Sequence, residues 1–355
     1  MLITSIFPSR YVQGAGALAS LPEEIERLGG RGLGVVDRLV SGLIAGTGLS
    51  GEVFGGECCD EEIARYVALA RERDAKVIFG IGGGKAADTA KAAAHELGLP
   101  VAVVPTLAST DAPCSALSVI YTAQGAFKRY LVLPRNPDLV LIDTQVVANA
   151  PVRFLVSGMG DALSTWFEAN DCQIKHAANM TGRPGGFSSY ALARLCYDTL
   201  MEYGLAAKRA CEAHVATDAL ERIVEANTLL SGLGFESGGL SGAHAIHDGL
   251  TVLEQTHRFW HGEKVAIGTQ ALLQLTGRPP AVVDEVYNFC TAIGLPTTLA
   301  DIGLAEVSDA DLMRAAEATC APGETIGNCP CAVSPATVFA ALKAADAEGR
   351  ARKAA

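Results

Sequence analysis

Four of the seven histidines crowd into the eighteen residues 244–261: His244, His247, His257 and His261. Spacings of three and four residues put His244 with His247, and His257 with His261, on shared helical faces, so two adjoining helices could each offer an imidazole. Such nitrogens suit Zn2+ or Fe2+, and a catalytic site wants three protein ligands with one position left open. A carboxylate such as Asp161, in Gly158-Met159-Gly160-Asp161-Ala162, could be the third, but spacing alone does not select it from the other acids. The structural alternative is that these histidines cap helices or pair with acids such as Asp248 and Glu263. His-Glu-x-x-His is absent, which removes the commonest metallopeptidase reading. No Gly-x-Ser-x-Gly follows a strand, so serine-hydrolase chemistry has no support. Cys320, Cys329 and Cys331 lack a partner pair at zinc-binding spacing and read as an ordinary loop.

A second feature is the glycine run Gly82-Gly83-Gly84-Lys85, set between an apolar strand Val77–Ile81 and a helix Ala86–Leu97. Glycines let the backbone approach a ligand closely, and the free N–H groups and dipole of a helix start favour a pyrophosphate. Phe79 stands where a Walker A loop has its first glycine, and Ala86 where that loop has its Mg2+-binding hydroxyl, so nucleotide hydrolysis is disfavoured. The run is not the Rossmann fingerprint either, because the candidate ribose-binding acid, Asp37, ends an earlier strand. An acid there would pair with a ribose 2′-hydroxyl and repel a 2′-phosphate, favouring NAD over NADP. The plain alternative is a tight turn that only packs a helix on a sheet.

These residues need a scaffold. From about Arg31 to Asp143, apolar runs at Gly32–Asp37, Lys76–Gly82, Pro100–Pro105 and Leu139–Asp143 alternate with helical patterns at Asp60–Arg73 and Lys85–Leu97. That alternation predicts a parallel sheet covered by helices. After Pro151 the strand signals vanish, and Arg153–Asn170, Ser188–Tyr203, Glu212–Gly232, Val265–Leu275, Pro280–Ala292 and Asp309–Thr319 all read as helical. The expected organisation is an α/β domain over residues 1–151 and an all-α domain over 152–355, with the ligand cleft between them.

At 355 residues the chain is long enough for two domains. It carries 28 Lys and Arg against 39 Asp and Glu, a net −11, which repels phosphate backbones and anionic lipid and argues against nucleic-acid or membrane partners. Although 49% of residues are apolar, 38 Gly and 15 Pro interrupt the apolar runs before a bilayer-spanning length is reached. Ten Cys are too dilute for a disulfide scaffold, and no secretory signal opens the chain, so a cytoplasmic protein with free thiols is expected.

Taken together, several segments resemble one family: Gly-Ile-Gly-Gly-Gly-Lys (80–85) with Asp88, the stretch 105–121 (Pro-Thr-Leu-Ala-Ser-Thr-Asp-Ala-Pro-Cys-Ser-Ala-Leu-Ser-Val-Ile-Tyr), Gly-Met-Gly-Asp-Ala (158–162), Gly-Phe-Glu-Ser-Gly-Gly-Leu (234–240) and His-Gly-Glu-Lys-Val (261–265). The family is glycerol dehydrogenase, within the metal-dependent, iron-containing alcohol dehydrogenase superfamily, and the resemblance runs from about Pro8 to Gly349. It implies the dehydroquinate synthase-like fold. It also implies an NAD site on Asp37, Gly84, Lys85, Asp88, Thr106, Ser109, Ser115, Leu117 and Tyr121. The implied metal triad is Asp161, His244 and His261, holding Zn2+ or Fe2+, with Asp111 beside it to contact a glycerol hydroxyl. His247 and His257 are left as supporting or proton-relay candidates. The implied reaction is oxidation of glycerol to dihydroxyacetone: a metal ion lowers the pKa of the C2 hydroxyl, and hydride passes from C2 to the nicotinamide ring.

Related 1,2-diols and ketoaldehydes share the vicinal oxygens, so a diol dehydrogenase or ketoaldehyde reductase is the alternative within this class. A dehydroquinate synthase-like lyase would need several Lys and Arg around its substrate, and the motifs here offer chiefly Lys85 and Lys264. A catalytically inactive NAD-binding regulator would be expected to have lost a metal ligand. The resemblance also implies a closed homo-oligomeric ring, an octamer. Two stretches, Ile44–Cys59 and Thr319–Cys331, depart from the family pattern.

Overall fold

A computed structural model describes residues 2–354. The strands are β1 (Tyr11–Gly14), β2 (Gly32–Val36), β3 (Ser50–Val53), β4 (Val77–Gly82), β5 (Val101–Pro105), β6 (Leu117–Tyr121), β7 (Phe127–Val132) and β8 (Leu139–Asp143). Every residue of β4, β5 and β8 is buried, as expected of parallel strands covered on both faces. The main sheet is parallel throughout, in the order β1-β8-β5-β4-β2-β3, and β6 and β7 form a separate antiparallel hairpin.

The helices are α1 (Leu21–Arg27), α2 (Asp60–Glu72), α3 (Gly84–Leu97), α4 (Thr144–Asn149), α5 (Val152–Lys175), α6 (Phe187–Glu212), α7 (Asp218–Glu225), α8 (Ser231–Gly238), α9 (Gly242–Leu250), α10 (His261–Leu275), α11 (Pro280–Ile293), α12 (Asp309–Thr319) and α13 (Pro335–Ala354). After Asp143 the described residues form helices and connections only. An α/β half followed by a helical half is thus the architecture, as the sequence predicts. None of these helices is long and apolar enough to cross a membrane.

Several elements depart from those the sequence predicts, each for a physical reason. β1 and β3 are four-residue, partly exposed strands without an apolar run, and the β6–β7 hairpin leaves β7 largely exposed. The helix predicted over 212–232 does not exist as one rod. Instead α6 runs to Glu212, Thr217 caps α7 by accepting the Leu220 N–H, and a π-helical turn at Ala226–Leu230 leads into α8. In that turn the Asn227 amide donates to Leu155 O of α5 and to Ala108 O, the second bond tying the helical half to the α/β half. His257 does not share a helical face with His261: it precedes α10, is exposed, and bonds to Thr251 O at 2.8 Å. α13 has no counterpart among the helices the sequence predicts, because its Ala-rich sequence carries little periodicity.

In the sheet β2 and β4 lie side by side, and their carboxyl ends lead into the turns that carry Asp37 and the glycine run Gly82-Gly83-Gly84. β3, the strand after β2, pairs on its outer side, whereas β4 pairs on its inner side, so the strand order reverses here, the usual crevice for ligands in such sheets. α3 can press close to β4 because Gly80 carries no side chain: a Cβ there would lie 2.8 Å from Ala90 Cβ.

Candidate active site

Three helices meet in the second half through glycines. A Cβ on Gly262, in the first turn of α10, would sit 1.8 Å from Ser157 O of α5, and one on Gly160 would sit 2.4 Å from Gly262 O. One on Gly268 would sit 2.2 Å from Ala243 O of α9. Bare backbones therefore touch, and the side chains beside them, Asp161 on α5, His244 on α9 and His261 on α10, are drawn to one point. This is a physical reason for the Gly-Met-Gly-Asp and His-Gly-Glu-Lys segments.

One ligand atom each from Asp161, His244 and His261 lies within 4.8 Å of the others. His244 Nε2 is 3.3 Å and His261 Nε2 3.1 Å from Asp161 Oδ1. That oxygen is buried and has no hydrogen-bond partner, an expensive arrangement unless a cation serves it. Burial alone would raise the Asp161 carboxyl, but the facing His261 and His244 rings outweigh it and hold it well below the usual carboxylate range. Burial would likewise lower His244, yet Glu168 and Asp161 outweigh it and hold the ring well above its usual value. Two imidazole nitrogens aimed at one orphaned carboxylate oxygen fit a divalent ion that would replace the protons.

The surroundings orient these groups. Glu168 lies seven residues after Asp161, on the same side of α5. Its Oε2 is 2.6 Å from His244 Nδ1, while its Oε1 accepts the Ser241 and His244 backbone N–H groups. His244 therefore keeps Nε2 free toward Asp161. Asp171, also on α5, accepts from Ser241 and Arg278, and burial pushes its carboxyl up to about 6. On the other side His261 Nδ1 is 3.1 Å from His247 Nε2, and His247 Nδ1 is 2.9 Å from Asp248 Oδ1. Burial and the neighbouring His261 push His247 down to about 3, which keeps it neutral. Of the two supporting histidines considered from the sequence, only His247 reaches the site.

Asp111 adjoins the cluster: its backbone N–H donates to Asp161 Oδ2 at 3.4 Å, and its own Oδ2 accepts the Ser231 hydroxyl at 2.6 Å. Burial and the charge on Asp161 push the Asp111 carboxyl well up.

Of the residues singled out for the dinucleotide, Asp37, Gly84, Lys85, Thr106 and Ser109 follow the carboxyl ends of β2, β4 and β5. Asp37 follows β2 and caps the next turn by accepting the Leu39 N–H at 2.9 Å. Gly82 faces it with φ +146, and a Cβ there would come within 2.6 Å of Asp37 Cβ. Gly84 opens α3 with free space around it. Lys85 pairs with Glu57 and lies 5.0 Å from the Tyr121 ring. Thr106 and Ser109 occupy the loop after β5, with the Thr106 N–H donating to Gly82 O. Leu117 begins and Tyr121 ends β6. Two groups are engaged internally: Asp88 accepts the Val119 N–H and pairs with Lys91, and the Ser115 hydroxyl donates to Ala112 O.

Residues 8–144 match the family described as iron-containing alcohol dehydrogenase. Over its length the chain is 61% identical to glycerol dehydrogenase of Thermotoga maritima across 362 residues, covering 99% of each. The chain belongs to the iron-containing alcohol dehydrogenase family. It is also 45% identical to glycolaldehyde reductase of Halobacterium salinarum, covering 98% of this chain and 99% of that one. A probable glycerol dehydrogenase from Sinorhizobium meliloti 1021 superposes with a TM-score of 0.93 at 46% identity, covering 99% of this chain and 100% of that one. Membership in the family makes the protein an oxidoreductase that works with a nicotinamide dinucleotide and a metal ion.

In this family member Glu168, Asp171 and Ser231 escaped the sequence reading. The available signal was the seven-residue spacing of Asp161 and Glu168 on one helix, together with a carboxylate's need to orient an imidazole. Glu168→Gln is expected to weaken metal affinity about 10–100-fold with little change in fold, measured by competition against a chromogenic chelator.

Proposed function

We propose that this protein is an NAD-dependent glycerol dehydrogenase that oxidises glycerol at C2 to dihydroxyacetone, with Asp161, His244 and His261 holding one divalent ion, Zn2+. Fe2+ suits the same two-imidazole, one-carboxylate donor set. The observation that carries the reading is the orphaned Asp161 Oδ1, faced by two imidazole Nε2 atoms and adjoined by the buried Asp111. When bound, the ion would supply Lewis acidity that makes a vicinal hydroxyl easier to ionise.

The chain's own residues do the rest. Glu168 and His247 hold the two imidazoles with Nε2 toward Asp161. Asp111, steadied by Ser231, receives a second glycerol hydroxyl and so favours a substrate with vicinal oxygens. The glycine turn and the first N–H groups of α3 receive the pyrophosphate, and Asp37 the adenosine ribose. Lys85, Thr106, Ser109, Ser115, Leu117 and Tyr121 are assigned to the rest of the dinucleotide, with Asp88 holding β6 through the Val119 N–H. We read residues 1–151 as the dinucleotide half and 152–355 as the metal half, with hydride passing between them where water is excluded. The resemblance to glycerol dehydrogenases supports a cytoplasmic homo-oligomer, an octamer.

Asp37→Ser tests the cofactor side, because serine keeps the turn cap but removes the charge. KM for NAD should rise about tenfold, and NADP, whose 2′-phosphate the wild-type carboxylate should repel, should become usable. The likeness to a glycolaldehyde reductase favours a second reading, reduction of a small hydroxyaldehyde by the same residues. Comparing kcat/KM for glycerol with NAD, 1,2-propanediol with NAD and glycolaldehyde with NADH separates them: glycerol should lead, and a lead for glycolaldehyde would replace the first reading with the second.

A further inference from the structure

The segment Gly-Phe-Glu-Ser-Gly-Gly-Leu (234–240) contributes no residue to the metal cluster, yet it holds a buried acid. Glu236, on α8 of the helical half, is 3% exposed. Its Oε1 accepts the Ala116 N–H at 2.7 Å, and its Oε2 accepts the Asn136 side-chain amide, which also donates to Cys114 O at 2.8 Å. Its target is the loop between β5 and β6, which carries Asp111 and Ser115 and leads into Leu117, the first residue of β6.

Two further contacts join α8 to that loop. Ser231 donates to Asp111, and Gly232 packs so closely that a Cβ would lie 2.9 Å from Cys114 Cβ. From the opposite side α3 sends up Lys91, 1% exposed, whose Nζ donates to Ala112 O at 3.1 Å and also to Leu117 O. The loop is thus gripped between a buried ammonium of one half and a buried carboxylate of the other. Because buried charges are costly unless fully used, this arrangement points to a requirement for loop geometry rather than for stability.

We propose that Glu236 is a positioning residue for cofactor binding: through the Ala116 amide it sets Ser115 and Leu117 against the nicotinamide dinucleotide. The inference rests on the dinucleotide-dependent reading above. Burial pushes the Glu236 carboxyl up to about 7, against the Ala116 and Asn136 hydrogen bonds and the Lys91 charge that favour the carboxylate. The other titratable groups facing it are Asp111 and the Cys114 thiol. The Ala116 N–H can only donate, and the Asn136 amide turns its NH2 toward Glu236 while donating to Cys114 O, so a proton on Glu236 would cost one of these bonds, and the clamp would loosen as pH falls through about 7.

The test is Glu236→Gln in the metal-loaded enzyme. KM for NAD should rise about tenfold, the equivalent of one charge-assisted hydrogen bond, while kcat changes less than about threefold. In the wild type KM should climb as pH drops through about 7, and in the variant it should be high and flat. A variant with the wild-type KM and pH profile, or one that loses only kcat or thermal stability, would overturn the proposal. NADH binding followed by fluorescence separates the two layers. No binding by the wild type would remove the dinucleotide reading and this inference with it, whereas equal binding by both proteins would remove this inference alone. Hydrogen exchange in the wild type needs no variant to fold: the amides of residues 114–117, Ala116 above all, corrected for intrinsic rates, should be less protected at about pH 6 than at about pH 8, and equal protection would overturn the clamp.

Discussion

Gly262→Ala is expected to strip the protein of its metal and of activity, although it adds only a single methyl group, on the residue after His261. That methyl would lie 1.8 Å from Ser157 O, 2.7 Å from Ser157 C and 2.9 Å from Asp161 N, all backbone atoms of α5 that no rotamer change can move aside. α10 must back away from α5, and His261, the residue before the glycine, goes with it. Overpacking of this kind costs about 1–3 kcal/mol, so thermal stability should fall by several degrees while the chain still folds. Metal content per chain should drop toward zero. Gly327→Ala is the control, because a Cβ there meets nothing within 4 Å, and it should match the wild type in both Tm and metal content.

Asp161→Asn should have a comparably large effect on turnover. The substitution keeps shape but removes the buried negative charge faced by both imidazoles. Loss of a carboxylate ligand forfeits the charge that holds a dication, and kcat/KM for glycerol should fall about a thousandfold or more, corresponding to several kcal/mol of barrier. The variant should still fold, since His244 keeps Glu168 as a partner and Asp111 is relieved of a like charge. Added Zn2+ should raise the Tm of the chelated wild type but not that of the variant, because only a ligand bound by the folded state stabilises it.

Much of this was legible in the sequence, for reasons that differ by residue. The fully buried strands β4, β5 and β8 write themselves as apolar runs, and the glycine turn after β4 marks a backbone that must approach a ligand. The clustered histidines announce chemistry, but their spacing could not tell His244 and His261 from His247 and His257; the family resemblance made that choice. The structure explains the difference through the helix ends. α10 begins at His261, so His257 falls outside it and turns to Thr251. Glu168 and Glu236 were not singled out because a carboxylate inside a helix looks like a solvated surface group until tertiary packing buries it. The break between α6 and α7 and the π-helical turn were hidden for a related reason: Asn227 makes its bonds to Ala108 and Leu155, residues far off in the chain.

The central claim is that Asp161, His244 and His261 hold a metal ion required for NAD-dependent oxidation of glycerol. NADH absorbance should be followed with purified enzyme, glycerol and NAD, first as isolated, then after chelation, then after Zn2+ is restored. Activity that disappears with the chelator and returns with the metal is the expected result. Turnover unchanged by complete removal of metal, or no turnover with glycerol while both metal and NAD are bound, would contradict it.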